Sequence, residues 1–345
     1  MWFERKRTVR FRPRPAIETL EGRAVLSTFL VKNVDQLVAD IAALNNTTGP
    51  NTIVLAGGDY DLSAPLHIEN AGRLTISGRA DSPSNVRFFG SAPGRDIEID
   101  GGSVTFNGVT VSGGSADQGG GILAVNADVT VKNSTITGNT ATQAGGGIFA
   151  LGGTLNVMSS VIDGNSAGGT SFGQGGGIAA SDAMVIIRAS TVSNDTASAI
   201  VQNSGTAVVP TVDGAGIYAL GGILTISGSK LETNTASAFT SGNSAICLGA
   251  GIGTSGTTVT INRTSFIKNA LSSFARNGAL ADGSALSALG GSVTITGGLF
   301  SSNNPTSFAQ FHHPGTAIVI RHSIIDGRQF LGTYILSDDT LTPAP

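Results

Sequence analysis

Residues 145–165 run GGGIFALGGTLNVMSSVIDGN, and residues 175–195 run GGGIAASDAMVIIRASTVSND. Laid over one another, they share a glycine cluster, an isoleucine directly after it, an apolar–polar–apolar alternation and a closing Asn or Asp. Working outward in both directions, the same anchor recurs at Ile122, Ile148, Ile178, Ile217, Ile252 and Leu286. Seventeen positions beyond each anchor stand Asn139, Asn165, Asp195, Asn234, Asn269 and Asn303. An interval held constant through six copies marks a repeat architecture.

Three further columns are apolar. Seven after the anchor come Val129, Leu155, Val185, Leu224, Val259 and Val293, and nine after it Val131, Val157, Ile187, Ile226, Ile261 and Ile295. Fourteen after it come Ile136, Ile162, Val192, Leu231, Phe266 and Phe300. A polar residue, often Thr, separates the first two columns, and a period of two means one face buried and one wet. An incomplete copy precedes the set (Val104 to Val111) and a degenerate one follows it (Ile318 to Ile325). Each copy thus holds three short β-segments that can be buried only by stacking on their equivalents in neighbouring copies. The expected fold is all-β, a right-handed parallel β-helix with a short N-terminal capping helix.

Two glycine positions belong to the same logic. Gly119, Gly145, Gly175, Gly214, Gly249 and Gly283 stand three before the anchor, and Gly121, Gly147, Gly177, Gly216 and Gly251 one before it, with Ala285 in the sixth copy. Two small positions at a fixed place predict a corner with close backbone packing or positive φ. The Asn column predicts a turn whose side-chain amides stack coil on coil.

With these motifs in hand, the chain resembles a known group. GGGI and GAGI, at Gly120–Ile122, Gly146–Ile148, Gly176–Ile178, Gly214–Ile217 and Gly249–Ile252, are similar to the GGAI element of chlamydial polymorphic outer-membrane protein repeats. The stretches from Phe266 to Asn269 and from Phe300 to Asn303 match that family's FxxN element. The resemblance covers about residues 118–305 and implies a right-handed β-helix of the pectin-lyase-like superfamily, exposed on or released from the cell. That family is anchored by a C-terminal β-barrel, which the residues after Pro305 are too few to form, so an integral outer-membrane position is not expected.

The links from each copy to the next glycine corner vary: 142–144, 168–174, 198–213, 237–248 and 272–282. All fall at one corner, so they are expected to gather as loops along one side, with Phe239, Cys247 and Phe274 as their larger apolar members. Loops on a rigid scaffold are a favoured place for binding residues.

Composition narrows the function. Forty-nine glycines in 345 residues carry no G-X-Y period, which excludes collagen, and 40% hydrophobic residues suffice for a core. Cys247 is alone, so no disulfide closes within the chain, and no apolar run is long enough for a transmembrane helix. Residues 1–23 are net +4 in a chain of net −3. This basic head lacks interleaved stacking aromatics and precedes an acidic remainder, so nucleic acid is not an expected partner.

Within that head, Phe11–Ser27 resembles the LEPR-XLL leader of many planctomycete secreted and surface proteins, through Arg12, Pro13, Leu20, Glu21, Arg23, Leu26 and Ser27; it departs at Gly22 and Val25. The resemblance implies export and a folded part beginning near Phe29. From Val34 to Leu44, apolar residues at 34, 37, 38, 41 and 44 form the stripe of one amphipathic helix, suited to capping the open end of a strand stack. Strand-like pieces follow at Thr52–Leu55, Pro65–Ile68, Leu74–Ile76, Val86–Phe88 and Ile97–Ile99. The chain divides into a basic leader (1–28), a cap with the first coils (29–117), the repeat coils (118–330) and a C-terminal tail (331–345).

Chemistry is sparse. A hydrolase needs two carboxylates about 5–10 Å apart, and a calcium-dependent lyase needs clustered acids beside a base. The residues nearest to such a pair are Asp163 and Glu232, fifteen after their anchors and two coils apart, about 10 Å at about 4.8 Å per coil. Ser193 lies between them, and Arg188 and Arg321 belong to another column, so two solvated acids are expected. The polygalacturonase elements (NTD, paired Asp, GHG, RIK) are absent at matching positions; the one Asp pair, Asp338-Asp339, lies in the tail. His312-His313-Pro314 and Arg321-His322 lack an acidic or Cys partner at ligand spacing, so neither a metal nor a cofactor is expected. Gly251-Ile-Gly253-Thr-Ser-Gly256 spells a dinucleotide fingerprint, but a strand follows it instead of a helix. Gly57-Gly58-Asp59-Tyr60-Asp61 is expected to be a turn and no calcium repeat. The function expected from sequence is a secreted or cell-surface structural, adhesive or glycan-binding module, non-enzymatic, with polysaccharide or cell-envelope partners. The alternative is a polysaccharide lyase or glycoside hydrolase with an atypical site.

Overall fold

Four parallel sheets carry the structure, and three of them follow from the repeat. The computed structural model describes residues 27–78, 86–90, 93–201, 208–242, 244–276, 278–304, 311–312, 318–326, 330–331, 334–337 and 340–342. Sheet 1 runs from Ser27–Val31 to Tyr334–Ser337 in twelve strands, sheet 2 from Gly58–Leu62 to Thr340–Thr342 in eleven, and sheet 3 from Leu66–Glu69 to Phe330–Leu331 in ten. Each coil between the first and the last contributes one strand to each of these three sheets, and every strand pairs in parallel with its equivalent one coil away. The chain is a right-handed parallel β-helix, the hand that parallel crossovers adopt.

Register carries the sequence columns into the interior unchanged. Ile148 pairs with Ile178 and Ile178 with Ile217 in sheet 3; Val157 pairs with Ile187 and Ile187 with Ile226 in sheet 1; Ile162 pairs with Val192 and Val192 with Leu231 in sheet 2. All of these are fully buried. Where the third column becomes aromatic, the Phe266 and Phe300 rings stack at 4.8 Å and 12°.

The corners show why small and amide residues recur. Gly175 adopts φ +59°, and a Cβ on Gly216 would sit 2.7 Å from the Gly251 carbonyl oxygen of the next coil. One glycine column therefore serves backbone conformation and the other close approach. The Asn column is a buried ladder: the Asn139 amide donates to Asn165 Oδ1, Asn165 to Asp195 Oδ1, Asn234 to Asn269 Oδ1 and Asn269 to Asn303 Oδ1, each at 3.0 Å. A second ladder, not anticipated from sequence, lies at the corner between sheets 1 and 2. There Ser160 Oγ, Ser190 Oγ and Ser229 Oγ each accept the backbone N–H of the corner residue one coil before.

The N-terminal end is closed as expected. Helix α1 spans Val34–Leu44, its first turn capped by Asn33, whose side chain accepts from the Gln36 N–H at 2.9 Å. Leu37, Ile41 and Leu44 are buried, whereas Val38 is half exposed, so the apolar stripe is narrower than its spacing predicts. The first strand begins at Ser27, slightly before the expected start. The stretch from Gly58 to Leu62 is a strand and no turn: Tyr60 is buried inside, and Asp59 pairs with Arg87. Residues 1–26 of the leader, His313, Pro314 and the Asp338-Asp339 pair lie outside the described residues.

The links expected as loops fold as strands instead. Thr140–Ala144, Ser166–Gly169, Phe172–Gln174, Thr196–Val201, Thr211–Asp213, Thr235–Thr240, Ser244–Leu248, Ala270–Phe274 and Gly278–Asp282 are strands of a fourth parallel sheet. Each long link leaves the helix as one strand and returns as another. Outgoing strands stack on outgoing strands, and returning on returning, to form a two-armed flap. Between the arms lies a core of small side chains, among them Ala197, Ala199, Ala236, Ala238, Ala245 and Cys247. Alanine lets the arms approach closely, and burial pushes the Cys247 thiol up to about 12, leaving it unreactive. At the flap tip Phe239 and Phe274 stack at 5.3 Å with both rings partly exposed.

Two outcomes test this packing. Ile187→Asp places a carboxylate in the fully buried interior and should abolish the cooperative thermal transition, with loss of the β circular-dichroism signal. Asp195 is the one carboxyl among the described amide-ladder members, and its Oδ2 has no partner. Elsewhere the amide also donates to a carbonyl one coil back, as Asn165 does to Ile136 and Asn234 to Val192. Asp195→Asn should restore that bond to the Ile162 carbonyl and stabilise the protein at pH 7 by about 1 kcal/mol in denaturant titrations.

Candidate functional site

The flap does not lie flat. Its returning arm faces the outer surface of sheet 3, and the two enclose a cleft of about 340 Å³. From sheet 3 come Phe149 and Tyr218, each the residue directly after an anchor isoleucine and therefore pointing outward. From the flap come Phe172, Gln143 and Gln174, with Gln118 on the coil before. Leu151 and Leu220 form the far wall.

Exposure grades along the cleft. Phe149 is nearly buried where the flap meets the sheet, packed with Ala144 and Ala179; Tyr218 is half-buried; Phe172 is 40% exposed. Aromatic side chains thus line both walls, with amide groups beside them that can donate and accept. The Gln174 side chain bonds the Tyr218 hydroxyl, which fixes the ring.

Behind the cleft lining, close to Tyr218, lies the carboxyl of Asp213. Asp213 follows Gln174 in the same flap column, one coil on, and is 5% exposed. Burial raises its carboxyl to about 8, opposed by a backbone hydrogen bond from Gly214, and its Oδ1 has no partner. Tyr218 is pushed above its ordinary value by burial and then by the neighbouring Asp213 charge. At neutral pH the cleft is therefore lined by uncharged groups.

The carboxylates singled out by sequence lie elsewhere, on the outer face of sheet 2. Asp163 pairs with Ser193 and Ser193 with Glu232, so the two acids share a column with one coil between them. Each is already engaged. Asp163 Oδ1 accepts from Ser193 Oγ and Asn194 Nδ2, both at 2.7 Å, and Glu232 pairs with Lys230. The structure does not bring them together around a shared space. Arg188 and Arg321 lie on sheet 1, in a different column as expected. His312 is in a strand of sheet 3, Gly251–Gly256 leads into the strand Thr258–Asn262, and no group of three His, Cys, Asp or Glu side chains among the described residues could hold a metal ion.

Sequence reasoning passed over Phe149, Phe172 and Tyr218. Phe149 and Tyr218 sit in an outward column that also holds Leu123, Ala179 and Gly253, so no constant residue type marks it. Phe172 lies in one of the variable links. What could have flagged them is large aromatic side chains at positions that strand alternation turns outward.

No family model and no curated protein matches the sequence. Among solved structures the chain is similar to a PL6 family polysaccharide lyase from Pseudopedobacter saltans, at 12% identity over 91% of this chain and 92% of that one, with a TM-score of 0.28. A match at that score says nothing about shared chemistry. Among the described residues no helix is long and apolar enough to cross a membrane.

The buried acids predict an unusual pH response. Asp96, like Asp213, is raised by burial to about 8, and Asp195 is raised well above the usual range by burial. A carboxyl whose folded pKa exceeds its unfolded value contributes stability that is fully present below about 4 and lost as pH rises through about 8. The melting temperature should therefore fall between pH 5 and pH 9. Asp213→Asn should match the wild type at pH 5 and exceed it at pH 9 in thermal scans.

Proposed function

We propose that this is a secreted or cell-surface β-helix that binds an uncharged glycan in the cleft between sheet 3 and the flap, without cleaving it. The observation that carries this reading is the convergence of aromatic side chains from both walls with three glutamine side chains. A sugar ring presents apolar C–H faces, which pack on Phe and Tyr, and a rim of hydroxyls, which bond amides. Apolar lining with a few placed polar groups is the usual composition of a ligand site. The neutral state of Asp213 fits a neutral ligand, and export fits the leader resemblance. On the chemical side, the cleft lacks the opposed carboxylic acid and carboxylate that glycoside hydrolysis uses, and Asp163 and Glu232 lie on another face, with Asp163 Oδ1 and Glu232 Oε2 engaged.

Calorimetry against neutral hexasaccharides of glucose, xylose and mannose tests the proposal. At least one should bind, and Phe172→Ala and Tyr218→Ala should each weaken it about tenfold, the loss of one stacking contact. Binding untouched by both substitutions would sink it. So would turnover of any polysaccharide abolished by Asp163→Ala or Glu232→Ala, which would establish a lyase or hydrolase.

A further inference from the structure

A second surface, at the corner between sheets 1 and 2, is built on a different principle. The last outward column of sheet 1 runs Lys132, Met158, Arg188, Ser227, Asn262, Thr296 and Arg321, one residue per coil in continuous register. Arg263 follows Asn262 directly. The cations Lys132, Arg188, Arg263 and Arg321 therefore occur on every second coil, with Met158, Ser227 and Thr296 on the coils between. Two coils advance about 10 Å along the axis.

All four cationic side chains are exposed, and among the described residues none forms an ion pair. Arg87 pairs with Asp59, Arg95 with Glu98 and Lys230 with Glu232, while Lys32, Arg73, Lys268 and Arg276 are exposed with no ion pair among the described residues, so what sets the four apart is their axial alignment. Between Arg188 and Arg263 lies a groove of about 490 Å³, floored by Ala189 and Gly228, with Ser227, Asn262 and Thr296 as hydrogen-bonding neighbours. A Cβ on Gly228 would meet nothing within 4 Å, so the floor is open. The Ser160–Ser190–Ser229 ladder beneath holds this corner in register.

We propose that this edge binds an acidic polysaccharide, lying parallel to the helix axis, that carries one anionic group per two sugar residues. A spacing of about 10 Å is about the length of a disaccharide, and a guanidinium recognises carboxylate or sulfate through paired N–H donors. The charge spacing separates this ligand from nucleic acid, whose phosphates lie about 3.4 Å apart along each strand. A chain of net −3 would also repel so dense an anion.

The test immobilises hyaluronan, which has one carboxylate per disaccharide, and measures binding of the full chain. Single-stranded DNA, polygalacturonate with one carboxylate per sugar, and neutral dextran serve as comparisons. Hyaluronan should bind most tightly and be released as salt rises from about 0.05 to about 0.5 M. Arg188→Gln and Arg263→Gln should each weaken it about tenfold, and the double variant about a hundredfold. Phe172→Ala should leave it unchanged, which separates this site from the aromatic cleft. Both arginines are exposed, so the variants should fold, which a wild-type circular-dichroism spectrum of each would check. Absence of hyaluronan binding, full binding by the double variant, or tighter binding of DNA or polygalacturonate would each overturn the proposal.

Discussion

Coil-on-coil hydrogen bonding in unbroken register is the interaction on which everything else in this protein rests. A strand such as Met184–Arg188 is too short to persist alone, and its backbone groups are satisfied only by the strands above and below. That requirement forces equivalent residues into vertical columns. A column inside is apolar at nearly every level, because a polar residue there has no water; Thr254, stacked between Ala219 and Ala288, is buried with its hydroxyl donating to the Ser287 carbonyl. A column at a tight corner must be glycine or a side chain that completes the turn. The amide and serine ladders meet the second need with hydrogen bonds that run in the same direction as the backbone ladder. They therefore add to the same lock.

The flap extends this lock outward. Once adjacent coils are in register, links of similar length leave the same corner at successive levels and can pair with one another. Thr196–Val201 stacks on Thr235–Thr240, and Thr211–Asp213 on Ser244–Leu248. What holds the two arms together is a core of alanines, which contributes little area per residue but permits close packing. The consequence for function is positional. A returning arm set beside sheet 3 converts an outward-facing sheet surface into a walled cleft, and only there do Phe149, Tyr218 and Phe172 share one space.

The two proposed sites use the scaffold in opposite ways. The cleft is enclosed, aromatic and uncharged, and Asp213 is kept protonated by its own burial. The sheet 1–sheet 2 corner is open and cationic, and its character comes from the axial repeat itself, which sets the spacing between successive charges. Neither depends on Asp163 or Glu232. Those acids were conspicuous as rare charges in outward positions, yet their neighbours Ser193, Asn194 and Lys230 occupy them.

The sequence by itself determined the axial order of this protein: which residue stacks on which, where the corners fall and which faces are wet. It could do so because those properties are periodic, and each copy states them again within some twenty residues. Val34–Leu44 was legible for the same reason, being a local pattern of period near 3.6. Only the tertiary structure decided the lateral arrangement. The links are built mainly of Ser, Ala, Gly and Thr, and where they alternate, as in Thr196–Val201 and Thr235–Thr240, the inward residue is mostly alanine, too weakly apolar to mark a strand. They become strands because stacked copies bring them side by side, and they enclose a cleft because the paired arms must bury their alanines against each other.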